Sequence, residues 1–279
     1  MKLYSFVFLI AMINAKSMRR NCDIISVDSA RQCYEKEILI TMNHNPNQLA
    51  VDKTTNTLYF SFDVGKGDYI PAIFNIESKT LAVLKGVKDA FALSANNLTD
   101  EIYFGGSHGI YRYSATNKSL QRLNINNLDI WWLFIKDNIY FIKFPSLNAF
   151  YYKDKTVKPV PQLKNCVIHQ FVVDKENDIF FLNGTGLYTV KASDNEPILV
   201  KKHPRFIGIT IDNLGYVHVC NEDGVYVVRK TTAKIKKVLD IKGILGITFD
   251  KTNNLIYSNS QEIIRLVLPS DGPNSSGHM

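Results

Sequence analysis

The sequence predicts an all-β fold, a six-bladed β-propeller whose last blade is closed by a strand from the N-terminal part of the chain. Three observations predict it: a repeat of roughly 38 to 41 residues, a count of six repeats, and one unassigned strand near the N-terminus. We expect a signal peptide over residues 1–15, a single propeller domain over 16–269 and a disordered tail over 270–279.

Each repeat begins with an apolar strand that usually ends in Asp, followed by a polar turn and a second strand. The clearest copies begin with Leu49–Asp52, Phe171–Asp174, Ile209–Asp212 and Ile247–Asp250. Two copies lack the Asp, and they begin with Phe91–Ser94 and Trp132–Ile135. Because the following turns are rich in Asn, Asp, Lys and Thr, we interpret the Asp residues as turn caps and not as metal ligands. An open β-sandwich with chance spacing is the alternative.

The two ends of the propeller region predict how the ring closes. The sixth repeat stops after its third strand, at about Leu268, and Cys33–Ile40 is a candidate strand that no repeat uses. A strand that completes the sixth blade would remove exposed sheet edges, which otherwise promote aggregation. The chain has 14 Tyr and 16 Phe and is 46% hydrophobic, which suits half-buried strands around a sizeable core.

The N-terminus predicts secretion. Met1-Lys2 precedes an apolar run over Leu3–Ile13, and the small residue Ala15 follows, as in a cleaved signal peptide. The run is too short to span a bilayer, and no later run is apolar for long enough. We therefore expect a secreted, extracellular protein with no membrane association. Asn-x-Ser/Thr triplets at Asn97, Asn117 and Asn183 predict glycosylation.

Four cysteines are compatible with an oxidising compartment. Three pairings are possible, and the sequence alone does not choose among them. On the blade pattern, Cys166 and Cys220 fall on the same face of neighbouring blades, so a bridge between them is one expectation. By the same reasoning Cys22 and Cys33 would pair and anchor the closing segment.

The formal net charge is +7 and the isoelectric point is near 9.0. The lysines are spread along the chain, and no Arg-rich helix, RNA-binding motif or zinc-finger spacing is present, so we expect no nucleic-acid partner. A basic protein favours anionic small molecules. The pattern leaves the oligomeric state open.

In a propeller the first strand of each blade lines the central channel, and binding residues concentrate at the mouth of a closed β architecture. The first residues of these strands and the loops between second and third strands are therefore the ligand-binding candidates: Asn47, Gln48, Asp89, His108, Trp131, His169, Gln170, Arg205 and Phe206. Trp131 and Phe206 would stack on a flat conjugated ligand, and Arg205 would pair with its carboxylate or sulfate. We expect at least one ring of the Trp131-Trp132 pair to pack between blades.

Catalytic motifs are missing from the sequence, which has no Gly-x-Ser-x-Gly elbow, His-Glu-x-x-His or P-loop. Asp89 is the one acid among the first-strand candidates, and a single carboxylate is too few ligands for a calcium site. We therefore expect no enzyme activity, metal or cofactor. The alternatives are a metal-dependent lactonase-type hydrolase and an extracellular protein-interaction propeller.

Several stretches resemble the ommochrome-binding proteins of insect haemolymph. They are the signal peptide, the Cys22–Cys33 segment, Asn47–Asp52 with Thr57–Phe62, and Gly246–Asp250. The resemblance implies a soluble haemolymph carrier of ommochromes, which are flat, coloured, anionic pigments derived from tryptophan. It supplies no site residues. The repeats are also similar to the wider propeller superclass of lactonases, strictosidine synthase-like proteins and yellow/royal-jelly proteins.

Overall fold

The computed structural model describes residues 22–28, 31–65, 67–96, 98–125, 128–202 and 205–269. The expected signal peptide, the expected tail and the sequon at Asn97 lie outside these ranges. Within them, six antiparallel sheets form a six-bladed β-propeller, so the predicted fold is confirmed.

Two N-terminal strands precede the blades, β1 (Ile24–Ile25) and β2 (Cys33–Thr41). Blade 1 consists of β3 (Pro46–Asp52), β4 (Thr57–Asp63), β5 (Tyr69–Asn75) and β6 (Thr80–Val83). Blade 2 consists of β7 (Ala92–Ala95), β8 (Glu101–Gly106), β9 (Gly109–Ser114) and β10 (Ser119–Arg122). Blade 3 consists of β11 (Ile130–Ile135), β12 (Ile139–Lys143), β13 (Asn148–Lys153) and β14 (Thr156–Pro159).

Blade 4 consists of β15 (Gln170–Val173), β16 (Ile179–Asn183), β17 (Gly186–Val190) and β18 (Ile198–Lys202). Blade 5 consists of β19 (Gly208–Ile211), β20 (Val217–Asn221), β21 (Gly224–Arg229) and β22 (Lys234–Asp240). Blade 6 contains β23 (Gly246–Phe249), β24 (Leu255–Ser258) and β25 (Glu262–Val267). Helix in the described residues is limited to two 3-10 turns, Pro161–Leu163 and Lys230–Thr232. None of the described helical segments has the length and apolarity needed to cross a bilayer.

The N-terminal strands complete the sixth blade, as the sequence predicts. The strand order in this sheet is β1-β2-β25-β24-β23, and Glu37 of β2 lies opposite Arg265 of β25. The Arg265 guanidinium donates to Glu37 Oε2 at 2.8 Å from Nε and to buried Asp250 Oδ2 at 3.2 Å from Nη1. Lys79 of blade 1 also pairs with Glu37. One ion-pair network therefore connects the closing strand β2 to blade 6, through Arg265, and to blade 1, through Lys79.

The core lies between neighbouring blades, and we call each such interface a seam. Large rings face each other there: Tyr59 and Phe104 have ring centroids 6.4 Å apart, and Phe134 and Phe171 have centroids 6.5 Å apart. Side-chain and backbone hydrogen bonds also cross the seams. The Ile135 N–H donates to Ser94 Oγ, and the Lys251 N–H donates to Asn56 Oδ1. Asn213 Nδ2 donates to the Asp250 carbonyl.

The recurring Asp residues cap the turns that follow the inner strands. Asp212 shows the pattern, because its Oδ1 accepts from the Leu214 N–H at 3.0 Å and from the Tyr216 N–H at 2.8 Å. Asp174 and Asp250 accept the same two N–H bonds, and Asp52 Oδ1 accepts the first of them, from the Thr54 N–H at 2.9 Å. The interpretation as turn caps is confirmed.

One of the two expected disulfides forms. Cys22 and Cys33 are bridged, with their Cα atoms 5.5 Å apart, and the bridge lies at the start of β2. The expected bridge between Cys166 and Cys220 is wrong, because both are free thiols. Cys166 packs against β13 and β15, in the seam between blades 3 and 4. Cys220 is fully buried in the seam between blades 5 and 6. Burial there raises the pKa of the Cys220 thiol.

Candidate functional site

The six inner strands surround a central cavity of about 510 Å³. This volume is in the range of small-molecule sites, roughly 300–1,000 Å³. The cavity runs from the mouth, where the inner strands begin, to the turn end, where they finish next to Lys53, Lys136 and Lys175. All six blades contribute lining residues, so a ligand on the axis would contact the whole ring.

Aromatic side chains dominate the mouth. The Phe91 ring lies 4.6 Å from Trp131 between centroids, and Trp131 stacks on Phe144 at 5.9 Å with an interplanar angle of 25°. Tyr69 meets Phe91 edge-on at 4.9 Å. We call these four residues the aromatic rim. Phe91 and Trp131 line the cavity and Phe144 is 48% exposed, so the rim offers ring faces to a flat ligand.

The predicted amides Asn47, Gln48 and Gln170 line the cavity and also fasten seams. Asn47 Nδ2 donates to the Phe91 carbonyl at 3.1 Å, and Gln48 Oε1 accepts from the Leu93 N–H at 3.0 Å. Gln170 Nε2 donates to the Ile207 carbonyl at 3.0 Å.

Gln170 differs from the other two because its buried Oε1 has no hydrogen-bond partner among the described residues. A buried acceptor left unpaired costs about 1–3 kcal/mol. Gln170, a residue of the cavity lining, therefore holds an unpaired buried acceptor.

The two tryptophans have different roles. Trp132 Nε1 donates to the Phe171 carbonyl at 2.8 Å, and its ring packs in the seam between blades 3 and 4. This confirms that one ring of the pair serves blade packing. Trp131 belongs to the aromatic rim.

Asp89 and His108, two of the predicted residues, do not line the cavity. They lie in loops at the mouth: Asp89 Oδ2 accepts from the Ser107 N–H at 3.2 Å, and His108 Nδ1 is 2.8 Å from Ser107 Oγ. Nearby Asp129 has a raised pKa because of burial and the negative charge of Asp89, while His108 opposes the shift. These groups form a polar loop cluster beside the mouth.

His169, Arg205 and Phe206 also lie outside the cavity lining, around the seam between blades 4 and 5. Burial and the charge of Arg205 lower the pKa of His169 and so favour its neutral imidazole. Arg205 is exposed. Phe206 packs edge-on against Tyr226 at 5.9 Å, in the core cluster of this seam. The predicted ligand contacts of these three residues stay predictions.

The site predicted from the sequence lay at the mouth and did not include the lysines at the turn end of the cavity. Lys53, Lys136 and Lys175 line this end. Lys136 Nζ donates to the Asp174 carbonyl at 2.6 Å and to Asn177 Oδ1 at 2.5 Å. The sequence carries a signal for them, since a lysine directly follows the last residue of the Leu-Ala-Val-Asp-type segment in four of the six repeats: Lys53, Lys136, Lys175 and Lys251.

The carboxylates that line the cavity, Asp137, Asp174 and Asp212, are also at the turn end. Asp174 pairs with Lys230, and Asp212 Oδ2 lies 3.2 Å from His218 Nε2. In the described ranges no three His, Cys, Asp or Glu side chains are grouped as a metal site would require.

These features define the chain as a six-bladed propeller with a central cavity on its axis. No family model matches the sequence. The chain is similar to the ommochrome-binding protein of Manduca sexta, with 27% identity over 282 residues that cover 97% of this chain and 99% of that protein. The resemblance stated from the sequence is thereby confirmed.

Solved structures with similar folds include enzymes. A gluconolactonase from Xanthomonas campestris aligns with a TM-score of 0.71 and 14% identity, over 90% of this chain and 96% of that one. A streptogramin B lyase aligns with a TM-score of 0.58 and 12% identity, over 84% of this chain and 98% of that one. At these identities the likeness is one of fold.

Proposed function

We propose that the chain is a carrier that binds a flat, anionic aromatic metabolite, an ommochrome pigment, in the central cavity. The observation that carries this proposal is the similarity to an ommochrome-binding protein over 97% of the chain. The cavity of about 510 Å³ with its aromatic rim supports it independently, because such a site suits a conjugated ring system.

In the proposed complex the pigment ring stacks on Trp131 and Phe91 and enters the cavity along the axis. Gln170 Oε1 accepts a hydrogen bond from an N–H or O–H of the pigment. Asp89, His108, His169 and Arg205 lie at the mouth, where they would meet parts of the pigment that extend beyond the rim, and the net charge of +7 attracts anions.

The test is an absorbance titration of the purified protein with xanthommatin, followed by gel filtration. We expect a saturable spectral shift and co-elution of colour at about one equivalent, since one axial cavity is proposed to hold one ligand. The absence of both would refute the pigment carrier. A protein partner that co-purifies without chromophore would instead favour an interaction module.

A Trp131→Ala variant tests the site within the same titration. Loss of one stacking partner is expected to raise Kd about two- to twelvefold, because aromatic pairs contribute roughly 0.5–1.5 kcal/mol. Tyr216→Ala is the matched control, since this ring is 56% exposed and is not part of the cavity lining. Equal affinities of the two variants would exclude stacking at Trp131.

We also propose that the chain has no hydrolase activity. Two of the three lining carboxylates, Asp174 and Asp212, cap turns. Asp174 also pairs with Lys230, and Asp212 lies next to His218. An assay of aldonolactone hydrolysis should show no rate above background. Activity that a chelator abolishes and calcium restores would refute this part and establish the lactonase alternative.

Secretion into an extracellular fluid such as haemolymph completes the proposal. The Cys22–Cys33 bridge supports it, because disulfides persist in oxidising compartments. Asn117 is exposed and accessible to glycosylation, whereas Asn183 Oδ1 accepts from the Thr185 and Gly186 N–H groups in a loop at the mouth. Mass spectrometry of protein secreted from insect cells, before and after glycosidase treatment, tests both sites.

A further inference from the structure

We propose that Lys53, at the turn end of the cavity, binds the anionic group of the ligand, so that an elongated aromatic carboxylate lies along the propeller axis with its ring at the rim. This inference rests on the proposed function and assigns the ligand's orientation and charge partner. It differs from the expectation that Arg205 at the mouth makes the charge contact.

The position of Lys53 carries the inference. Lys53 directly follows β3, is half-buried and lines the cavity. Among the described residues, its ammonium has neither a hydrogen bond nor an ion pair with a carboxylate. Lys230, by contrast, contacts three carboxylates, on Asp174, Glu176 and Asp178.

A half-buried ammonium without a bonded partner is a cost to the free protein, because burial disfavours charge. Burial lowers the pKa of Lys53, and the charge of Asp212 offsets part of this effect. Asp212 is already committed to the N–H groups of Leu214 and Tyr216 and to His218. A ligand carboxylate would supply the missing partner.

A second cation faces the same end of the cavity. Lys136 donates to neutral acceptors, the Asp174 carbonyl and Asn177 Oδ1, so its charge is not cancelled by those contacts. Lys175 lies there too, with Glu176 Oε1 at 3.7 Å, and Asp137 is exposed. Lys53 is thus the lysine of this group whose ammonium is free to pair directly with a ligand.

The distance between the two ends selects the shape of the ligand. Gln48 lies in β3 at the mouth and Lys53 directly follows β3, five residues later, which corresponds to at most about 16 Å at roughly 3.3 Å per residue. A compact aromatic acid would reach one end only. A fused-ring system with its carboxylate on a side arm spans more of this distance, which is the ligand class we assign.

The test is a titration of wild type, Lys53→Met, Lys53→Arg and two comparison variants with xanthommatin and with its methyl ester. We expect Lys53→Met to raise Kd for the acid about tenfold to hundredfold, the range for a hydrogen bond to a charged group. Lys53→Arg keeps the charge and should stay close to wild type. The methyl ester should bind wild type and Lys53→Met equally.

Lys251→Met is the matched control, because Lys251 holds the equivalent position in the sixth repeat but is exposed and is not part of the cavity lining. It should bind like wild type. Arg205→Met tests the rival partner. Circular dichroism verifies that each variant is folded, and the comparison of acid and ester on wild type needs no substitution.

The outcomes separate the two proposals. Binding of the acid by wild type with no loss in Lys53→Met, or equal affinity of wild type for acid and ester, overturns the role of Lys53 and leaves the carrier intact. A loss confined to Arg205→Met does the same. No binding of either compound by wild type overturns the proposed function and the orientation together.

Discussion

Lys230 is expected to be a principal electrostatic link between blades 4 and 5, and Lys230→Met should destabilise the propeller by about 3 kcal/mol. Its Nζ contacts the Asp174 carboxylate and lies 2.9 Å from Glu176 Oε2 and 3.0 Å from Asp178 Oδ2. The Asp174 side chain is fully buried and that of Asp178 is 9% exposed. Methionine keeps the apolar stem but leaves these carboxylates without the ammonium.

The magnitude follows from what each carboxylate retains. Removal of one partner from a buried ion pair costs about 3–5 kcal/mol. The lower end applies because Asp178 keeps Lys191 at 2.8 Å and Asp174 keeps its bonds to the Glu176 and Asp178 N–H groups. At roughly 2–4 °C per kcal/mol for a domain of this size, the melting temperature should fall by about 6–12 °C.

The loss should depend on pH. Burial opposes ionisation of Asp178, but Lys191, the Ala192 N–H and Lys230 outweigh it and lower its pKa from 3.8 to about 2. A depressed folded-state pKa contributes stability that is complete above 3.8 and disappears as the pH falls towards 2. The difference between wild type and Lys230→Met should therefore be largest at neutral pH and should narrow between pH 4 and pH 2.

Thermal unfolding by circular dichroism at pH 7, 4 and 2.5 measures both effects. Lys242→Met is the control, because Lys242 is 76% exposed and pairs at 2.5 Å with Asp223, which is 58% exposed. Such surface pairs contribute little, so its melting temperature should match wild type. Equal melting temperatures of Lys230→Met and Lys242→Met at pH 7 would refute the reasoning.

Two further substitutions test the closure and the mouth. Replacing Cys22 and Cys33 with serine opens a bridge of sequence separation 11 and should cost about 2–3 kcal/mol in chemical denaturation, whereas dithiothreitol should not affect the double variant. Gly106→Ala places its Cβ on the Asp89 carbonyl oxygen, so the backbone must shift and stability should fall by about 1–3 kcal/mol. Gly184→Ala, whose Cβ would lie 4.0 Å from the nearest atom, should be tolerated in the same melts.

The fold was predictable because each blade repeats the same local sequence pattern. Asp52, Asp174, Asp212 and Asp250 mark where an inner strand ends, since their carboxylates cap the following turn. The third blade lacks this residue, and its strand β11 ends with Ile135. Its continuous run of apolar and aromatic residues was sufficient to place the strand without the cap.

The candidate site was only partly predictable. Asn47, Gln48, Trp131 and Gln170 line the cavity as expected, because they begin inner strands and the propeller geometry fixes where those strands start. Phe206 also precedes an inner strand but packs against Tyr226. The direction of a side chain just outside a strand depends on loop conformation, which repeat spacing does not specify.

The same limit explains the missed residues and the wrong disulfide. Phe91 belongs to the aromatic rim, yet its place in the repeat is that of a core strand residue. Lys53 looks like a hairpin residue in the sequence, and its exposure to the cavity depends on the width of the channel. Cys166 and Cys220 share a face on the repeat pattern but pack in different seams.

The physical case for a ligand on the axis rests on two side chains of the cavity lining, Gln170 and Lys53. The seams are closely packed and cross-bonded, as Trp132 to Phe171 and Asn47 to Phe91 show. Inside the cavity, Gln170 keeps an unpaired buried acceptor and Lys53 an unpaired half-buried cation among the described residues. Unpaired polar groups and unfilled space both lower stability. In the proposed complex, the bound molecule would supply the contacts that Gln170 and Lys53 lack.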